Sequence, residues 1–197
     1  MRRISGIVLF MLFLGVANGQ QIRVGVHAGI DAARFRISGV EGGPLKYKSE
    51  LTGGVSVEAA FSPVVGVQLE GNFSQQGTGL ISDDASNALT YSLDYITVPL
   101  MIKLAATPQL SFHAGPQVGF LLSAHQRSIS TPGQDDIKDQ LEKTSYYAIL
   151  GSEYRFSNGV TLGARYNTGF GSINKTGAEI RNTYFTFRVG YSFSCKK

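Results

Sequence analysis

The 197-residue chain is 43% hydrophobic and contains 24 glycines, 12 phenylalanines, nine tyrosines and no tryptophan. This composition is typical of one β-rich domain and excludes a bundle of membrane helices. Without Arg2 and Arg3 the chain carries 16 basic against 14 acidic residues, so its charge gives no support for nucleic-acid binding. Its one cysteine, Cys195, excludes an internal disulfide.

The first 19 residues have the pattern of a secretory signal peptide. Arg2 and Arg3 precede an apolar run over residues 7–16, and Ala17 and Gly19 are small residues before a cut at Gln20. We therefore predict a signal peptide over residues 1–19 and a β-barrel domain over residues 20–197. No later apolar run is long enough for a membrane helix, so any membrane span must be built from strands.

Eight segments of the remaining chain alternate apolar and polar residues with the period of a strand. Each is close to the 9 to 11 residues that a tilted strand needs to cross a bilayer. The predicted strands are residues 22–30, 51–61, 65–75, 91–104, 109–123, 144–156, 160–170 and 182–193.

The fourth segment has two irregular features. Tyr91 has the opposite parity to the outward apolar set, so we expect a bulge or an inward aromatic layer near Asp94 and Tyr95. Pro99 removes a ladder hydrogen bond and is the residue least compatible with a strand here. A helical turn is predicted over residues 135–143, because Ile137 and Leu141 are four residues apart.

Short and long connections alternate along the eight segments. Residues 62–64, 105–108 and 157–159 form the short ones, and Asn158 with Gly159 favours a tight hairpin. The long connections, residues 31–50, 76–90, 124–143 and 171–181, are predicted to be solvated loops. This asymmetry predicts an all-β, eight-stranded antiparallel up-and-down transmembrane barrel, with short periplasmic turns and long extracellular loops.

Four stretches carry a resemblance to a known family. They are Tyr95 to Lys103 with its Pro99-Leu100, His113 to Gly119 with Ala114-Gly115-Pro116, Ala164 to Gly169, and Gly190 to Phe193. Together they resemble the PorT-like outer-membrane β-barrel family of Bacteroidota across the whole mature chain. The resemblance implies an eight-stranded barrel that carries proline in its fourth strand, has no catalytic residue set, and is inserted by the barrel-assembly machinery through its last strand. The outward residues of that strand are Phe185, Phe187, Val189, Tyr191 and Phe193.

The inward faces of the predicted strands carry nine ionisable residues. An eight-stranded barrel is only wide enough to be filled by side chains, so we predict a polar plug of paired charges rather than a pore or a catalytic cluster. Glu153 and Arg165 are the pair predicted across the Asn158-Gly159 hairpin. The nine residues are Arg23, His27, Glu58, Glu70, Lys103, His113, Glu153, Arg165 and Arg188.

The sequence therefore predicts a non-enzymatic outer-membrane protein with a structural or surface-interaction role. Phe61, Phe156 and Phe193 should form a periplasmic aromatic ring in contact with lipid. Basic residues of the first loop are candidates for lipopolysaccharide contact, and no metal or cofactor is predicted. The alternative is a soluble periplasmic lipocalin-like barrel with its apolar residues inside. A lipid-modifying enzyme using His113 and Ser111, and a narrow pore, are less favoured.

Overall fold

The computed structural model describes residues 21–37, 45–80, 89–128, 134–175 and 180–195. The nine strands are β1 (Gln21–Ile37), β2 (Leu45–Ala60), β3 (Val65–Leu80), β4 (Leu89–Ala105), β5 (Leu110–Ser128), β6 (Gln134–Asp136), β7 (Thr144–Arg155), β8 (Val160–Phe170) and β9 (Ile180–Cys195). One 3-10 turn covers Lys138–Gln140. In these parts of the chain no helix is long and apolar enough to cross a membrane.

Eight of the strands close into an antiparallel barrel. Each pairs with its neighbours in chain order, β5 pairs with β7, and β9 returns to pair with β1. Directly paired residues followed once around the barrel lead from Ile22 to Ala32, ten positions further along β1. A shear of ten over eight strands means strongly tilted strands, as barrel closure requires. The predicted eight-stranded barrel is confirmed.

The outer surface of the barrel is an apolar band. On β4, Leu100 and Leu104 are each 50% exposed, whereas the neighbouring Met101 is 1% exposed and points inward. The other strands repeat this facing, with aromatic side chains at both edges of the band. Phe61, Phe156 and Phe193 lie at the end that carries the short turns. A soluble lipocalin-like barrel requires the reverse facing, so that alternative is wrong.

Six strands, β1 to β5 and β9, are longer than predicted. β1 to β5 contain 16 to 19 residues, whereas β7 and β8 contain 12 and 11. Much of the predicted loops 31–50 and 76–90 therefore belongs to strands. The strands continue beyond the end of their apolar outer face. In this part of the strands the inner face is still lined by buried polar residues such as Asp31, Gln76 and Thr78. β9 also continues past Phe193 to Cys195.

The irregularities of β4 are partly as predicted. A register shift lies between Asp94 and Tyr95, and Tyr95 is fully buried, as the parity change indicates. Pro99 is buried, and the β3–β4 ladder has no direct pair at this residue, as expected for a missing N–H. A second shift, between Tyr47 and Thr52 in β2, was not predicted.

The connection between β5 and β7 folds over the loop end of the barrel. β6 extends β5 as a hairpin, and the predicted helical turn is a short strand followed by a single 3-10 turn. Ile137 and Leu141 are buried there because they pack with inward residues of the long strands. This apolar cluster consists of Leu93, Tyr95, Leu121, Ala124, Ile137, Leu141 and Ile173.

Candidate functional site: a charged network in the barrel interior

The interior of the barrel contains a connected network of charged side chains. The structure places all nine predicted ionisable residues inside it, seven of them buried and Arg23 and His27 partly exposed. All eight barrel strands contribute to them, and they meet because inward positions of facing walls lie at the same height. Unpaired charges in such a site would be costly, so the pairing of these groups determines what the interior can do.

Glu70 on β3 is the centre of the network. Its two carboxylate oxygens accept two hydrogen bonds of 2.7 Å from the guanidinium of Arg165, which reaches across from β8. Arg188 on β9 donates from Nη1 to Glu70 Oε1 at 2.8 Å. Gln68 and Asn72 donate to the same carboxylate. The side chain of Glu70 is fully buried, so these five donor contacts replace its hydration.

Glu153 on β7 joins this centre to the turn end of the barrel. Arg188 donates from Nη2 to Glu153 Oε2 at 2.9 Å, and Lys103 donates from Nζ to Glu153 Oε1 at 2.6 Å. Lys103 also donates to Glu58 and Gln68, so its three N–H groups are all used. Glu58 in turn accepts from Arg23 and Arg155, each at 2.6 Å.

The predicted pair of Glu153 with Arg165 is wrong. Their strands pair so that Glu153 lies opposite Gly163 and Arg165 opposite Gly151. Arg165 has its carboxylate partner on the far wall, in Glu70, and Glu153 takes Lys103 and Arg188 instead. Facing parity predicts that a side chain is inside, but it does not predict which wall of a narrow barrel the side chain reaches.

Glycines on the inner faces make room for the long arginine side chains. A Cβ on Gly151 would lie 2.6 Å from Nε2 of His113 and 2.7 Å from Cγ of Arg165. A Cβ on Gly163 would lie 3.0 Å from Nε of Arg188. Inward glycine beside an arginine was therefore an available signal, and sequence reasoning did not use it.

His113 and Ser111 are not arranged as a base and nucleophile. Nε2 of His113 accepts a hydrogen bond of 2.8 Å from Nε of Arg165, so the imidazole is committed as an acceptor. Ser111 donates to the backbone oxygen of Glu153 at 3.3 Å. On the other side of the network, Nε2 of His27 contacts Oδ1 of Asn72 at 2.9 Å. Both histidines therefore serve as hydrogen-bonding fillers of the interior.

Sequence reasoning missed three members of the interior. Arg155 and Gln68 alternate in step with the inward residues of their strands, but nothing in the pattern marks them as partners of the charged groups. Asp31 was assigned to a loop, yet it is 1% exposed and accepts hydrogen bonds from Ser74 and Thr186. Asp31 alternates in step with Arg23 and His27, and that parity was the signal for it.

Above the charged network the interior becomes less polar toward the loop end. A layer of tyrosine and amide side chains follows Asp31, with Tyr184 accepting from Gln117 at 2.6 Å and stacking edge-on with Tyr147. The apolar cluster around Leu93 lies above this layer. Two cavities within the charged and polar layers have volumes of about 20 Å³ each, which is room for about one water. Side chains therefore fill the interior.

A closed eight-stranded barrel with an apolar outer band, aromatic edges and a polar interior is an integral β-barrel of an outer membrane. Over residues 17–175 the sequence matches the family described as outer membrane protein beta-barrel domain, and the chain belongs to that family. Among curated proteins, no significant match was found.

Two crystal structures of other proteins are similar in fold. Ail, the attachment invasion locus protein of Yersinia pestis, solved in complex with the heparin analogue sucrose octasulfate, is 16% identical. The match covers 88% of this chain and 99% of Ail, with a TM-score of 0.53. Neisserial surface protein A is 12% identical, and the match covers 89% of this chain and 100% of that chain, with a TM-score of 0.54. These identities show a shared fold alone.

Proposed function

We propose that this outer-membrane barrel is a sealed, non-enzymatic protein with a structural or surface-interaction role at its loop end. The observation that carries the proposal is the filled interior, in which charged, polar and apolar layers follow one another from the turn end to the loop end. A pore would need a continuous wet path, and a hydrolase would need a nucleophile beside a free base. Neither is present in the parts of the chain that the structure describes.

The long strands support a role at the loop end. A strand crosses the bilayer in 9 to 11 residues, so the additional residues of β1 to β5 extend the barrel wall by about 15 Å beyond the membrane. The outer face of this extension is polar. Asp94 accepts from Gln75 and Ser123, and Lys48 donates to Ser92 and pairs with Glu50. This raised wall is the surface that we assign to a partner, and lipopolysaccharide is a candidate because of its phosphates.

The PorT-like, Bacteroidota affiliation is a finer proposal, supported by the packing of the two motifs that suggest it. Pro99 of the Pro99-Leu100 motif lies directly opposite Gln117. In the Ala114-Gly115-Pro116 motif, a Cβ on Gly115 would lie 2.0 Å from the backbone oxygen of Leu100, so only glycine fits. The two motifs therefore form one packing unit on adjacent strands. The signal peptide over residues 1–19 lies outside the described residues and remains a proposal, as does export through it.

Purified protein in planar lipid bilayers is expected to show no steady conductance. Ions cannot pass because the Glu70 layer fills the cross-section with fixed, paired charges. The matched control is the double substitution Glu70→Ser and Arg165→Ser, which removes one carboxylate and one guanidinium, leaves the net charge unchanged and opens a void. We expect single-channel steps from that variant. Steady conductance from the wild-type barrel would contradict the sealed interior.

We also propose that the outward residues of β9, Phe185, Phe187, Val189, Tyr191 and Phe193, are recognised during insertion by the barrel-assembly machinery. Ser194 and Cys195 pair with Arg23 and Ile22, so they belong to the strand. A deletion that removes the tail alone must therefore leave them in place. Lys196 and Lys197 come after the strand in the sequence. We therefore expect Phe193→Ala to reduce folded barrel in the outer membrane about tenfold, measured by heat-modifiable migration on gels. Deletion of Lys196 and Lys197 should leave that amount unchanged, and equal effects of the two changes would refute the assignment.

A further inference from the structure

The mouth of the barrel at the turn end is an open cavity. Its volume is about 670 Å³, and the short turns around Pro63 and Pro108 form its rim. Its charged lining comes from Arg23, Glu58, Lys103 and Arg155. Arg23 and Arg155 are the outermost of these groups, and each side chain is 20% exposed.

The network that ends at this mouth contains more positive than negative groups. It joins five cations, Arg23, Lys103, Arg155, Arg165 and Arg188, to three carboxylates, Glu58, Glu70 and Glu153. With both histidines neutral, the excess is two positive charges. Asp31 is held by hydroxyl groups in a separate layer, and counting it still leaves an excess of one. A cationic excess in a partly dry interior favours a bound counter-ion.

Among the described residues of this network, the donor without a partner belongs to an arginine at the mouth rather than to one deep inside. Arg165 uses both terminal nitrogens on Glu70, and Arg188 bridges Glu70 and Glu153. By contrast, Arg23 and Arg155 both donate to Glu58, Arg155 has only a longer contact of 3.4 Å with Glu153, and the second terminal nitrogen of Arg23 donates to the neutral Gln21. Nε of Arg155 is buried and has no hydrogen-bond partner in the structure. A buried donor of this kind normally has a partner, supplied by protein, water or an ion.

We propose that the turn-end cavity binds an oxyanion, a carboxylate or a phosphate group, between Arg23 and Arg155. Both arginines line the cavity and are partly exposed, so their guanidinium groups are the cations of the network that an anion entering the cavity meets first. Arginine presents its donors in a planar fork that matches such oxygens. Two or three charge-assisted hydrogen bonds to a partly solvated group correspond to a dissociation constant of about 1 mM. The site is at the opposite end of the barrel from the proposed interaction surface and does not depend on it.

The test follows the Nε–H signal of Arg155 by NMR in nanodisc-embedded full-length mature protein. The probes are inorganic phosphate and acetate, each titrated at constant ionic strength against sodium chloride. We expect saturable shifts with phosphate, and Arg155→Gln should weaken binding about tenfold in a calorimetric titration. The matched control is Arg127→Gln, which removes an exposed arginine at the loop end and should bind as the wild type does.

The outcomes separate the possible sources of the anion. Tighter binding of phosphate than of acetate assigns the site to phosphoryl groups, and the reverse assigns it to carboxylates. Shifts that chloride reproduces at equal concentration would mean a solvent counter-ion only and would overturn the proposal, as would no saturable shift in the wild type. The wild-type titration decides this even where Arg155→Gln lowers the yield of folded barrel.

Discussion

Replacing Glu70 by glutamine should reduce the free energy of unfolding of the barrel by about 3–5 kcal/mol. Two deep guanidinium groups, those of Arg165 and Arg188, share the carboxylate of Glu70, and its side chain is fully buried. Glutamine keeps the volume of the side chain but removes its charge, and it places N–H donors where Arg165 and Arg188 also donate. Arg165 would then lose its counter-charge and Arg188 would keep Glu153 alone, which costs more than the loss of an ordinary hydrogen bond.

The measurement is a urea unfolding curve in lipid vesicles, followed by the gel shift between folded and unfolded barrel. Glu142→Gln is the matched control, because Glu142 is exposed at the loop end and its substitution should change the free energy by less than about 0.5 kcal/mol. A triple variant replaces Glu70, Arg165 and Arg188 together with apolar residues of similar volume, so no buried charge of this group is left unpaired. It should recover much of the free energy of unfolding that Glu70→Gln loses. If Glu70→Gln and Glu142→Gln unfold at the same urea concentration, the network does not stabilise the barrel.

Sequence alone predicted the class of fold because the bilayer imposes one requirement on every strand. Each outward position that contacts lipid must be apolar, so β4 alternates from Ile96 to Leu104, and β9 alternates from Phe185 to Phe193. The turn residues at Asn158 and Gly159 marked a hairpin, and Gly159 has the positive φ, 92°, that such a turn favours. Patterns of this kind are local to one strand or turn, and they do not depend on which residues lie on the opposite wall of the barrel.

The strand ends and the charge pairing could not be predicted in this way. Beyond the membrane the outer face becomes polar, so the series of large apolar outward residues that identified β1 ends at Ile30 although its ladder continues to Ile37. Pairing inside the barrel depends on shear, which sets the height at which residues of different strands meet. Glu70 and Arg165 are 95 residues apart and lie on non-adjacent strands, and nothing local in either strand connects them.

A positive charge in the middle of the lipid-facing band should have the largest effect of any outward substitution. Leu100 is the central outward residue of β4, with Val98 and Ile102 beside it on the same face. Leu100→Arg should cost about 2–4 kcal/mol, because a guanidinium at the bilayer midplane loses its hydration and finds no carboxylate. The free energy of unfolding in lipid vesicles measures that cost, and the yield of heat-modifiable barrel in the outer-membrane fraction should fall with it.

The matched substitution is Leu104→Arg on the same strand and face. Leu104 is as exposed as Leu100, but it lies next to the turn that begins after Ala105, where an arginine can extend into the headgroup layer. Its cost should be about 0–1 kcal/mol. A soluble barrel would tolerate arginine equally at two outward positions of equal exposure. A difference of less than about 1 kcal/mol between the two variants would therefore contradict the depth assigned to the apolar band.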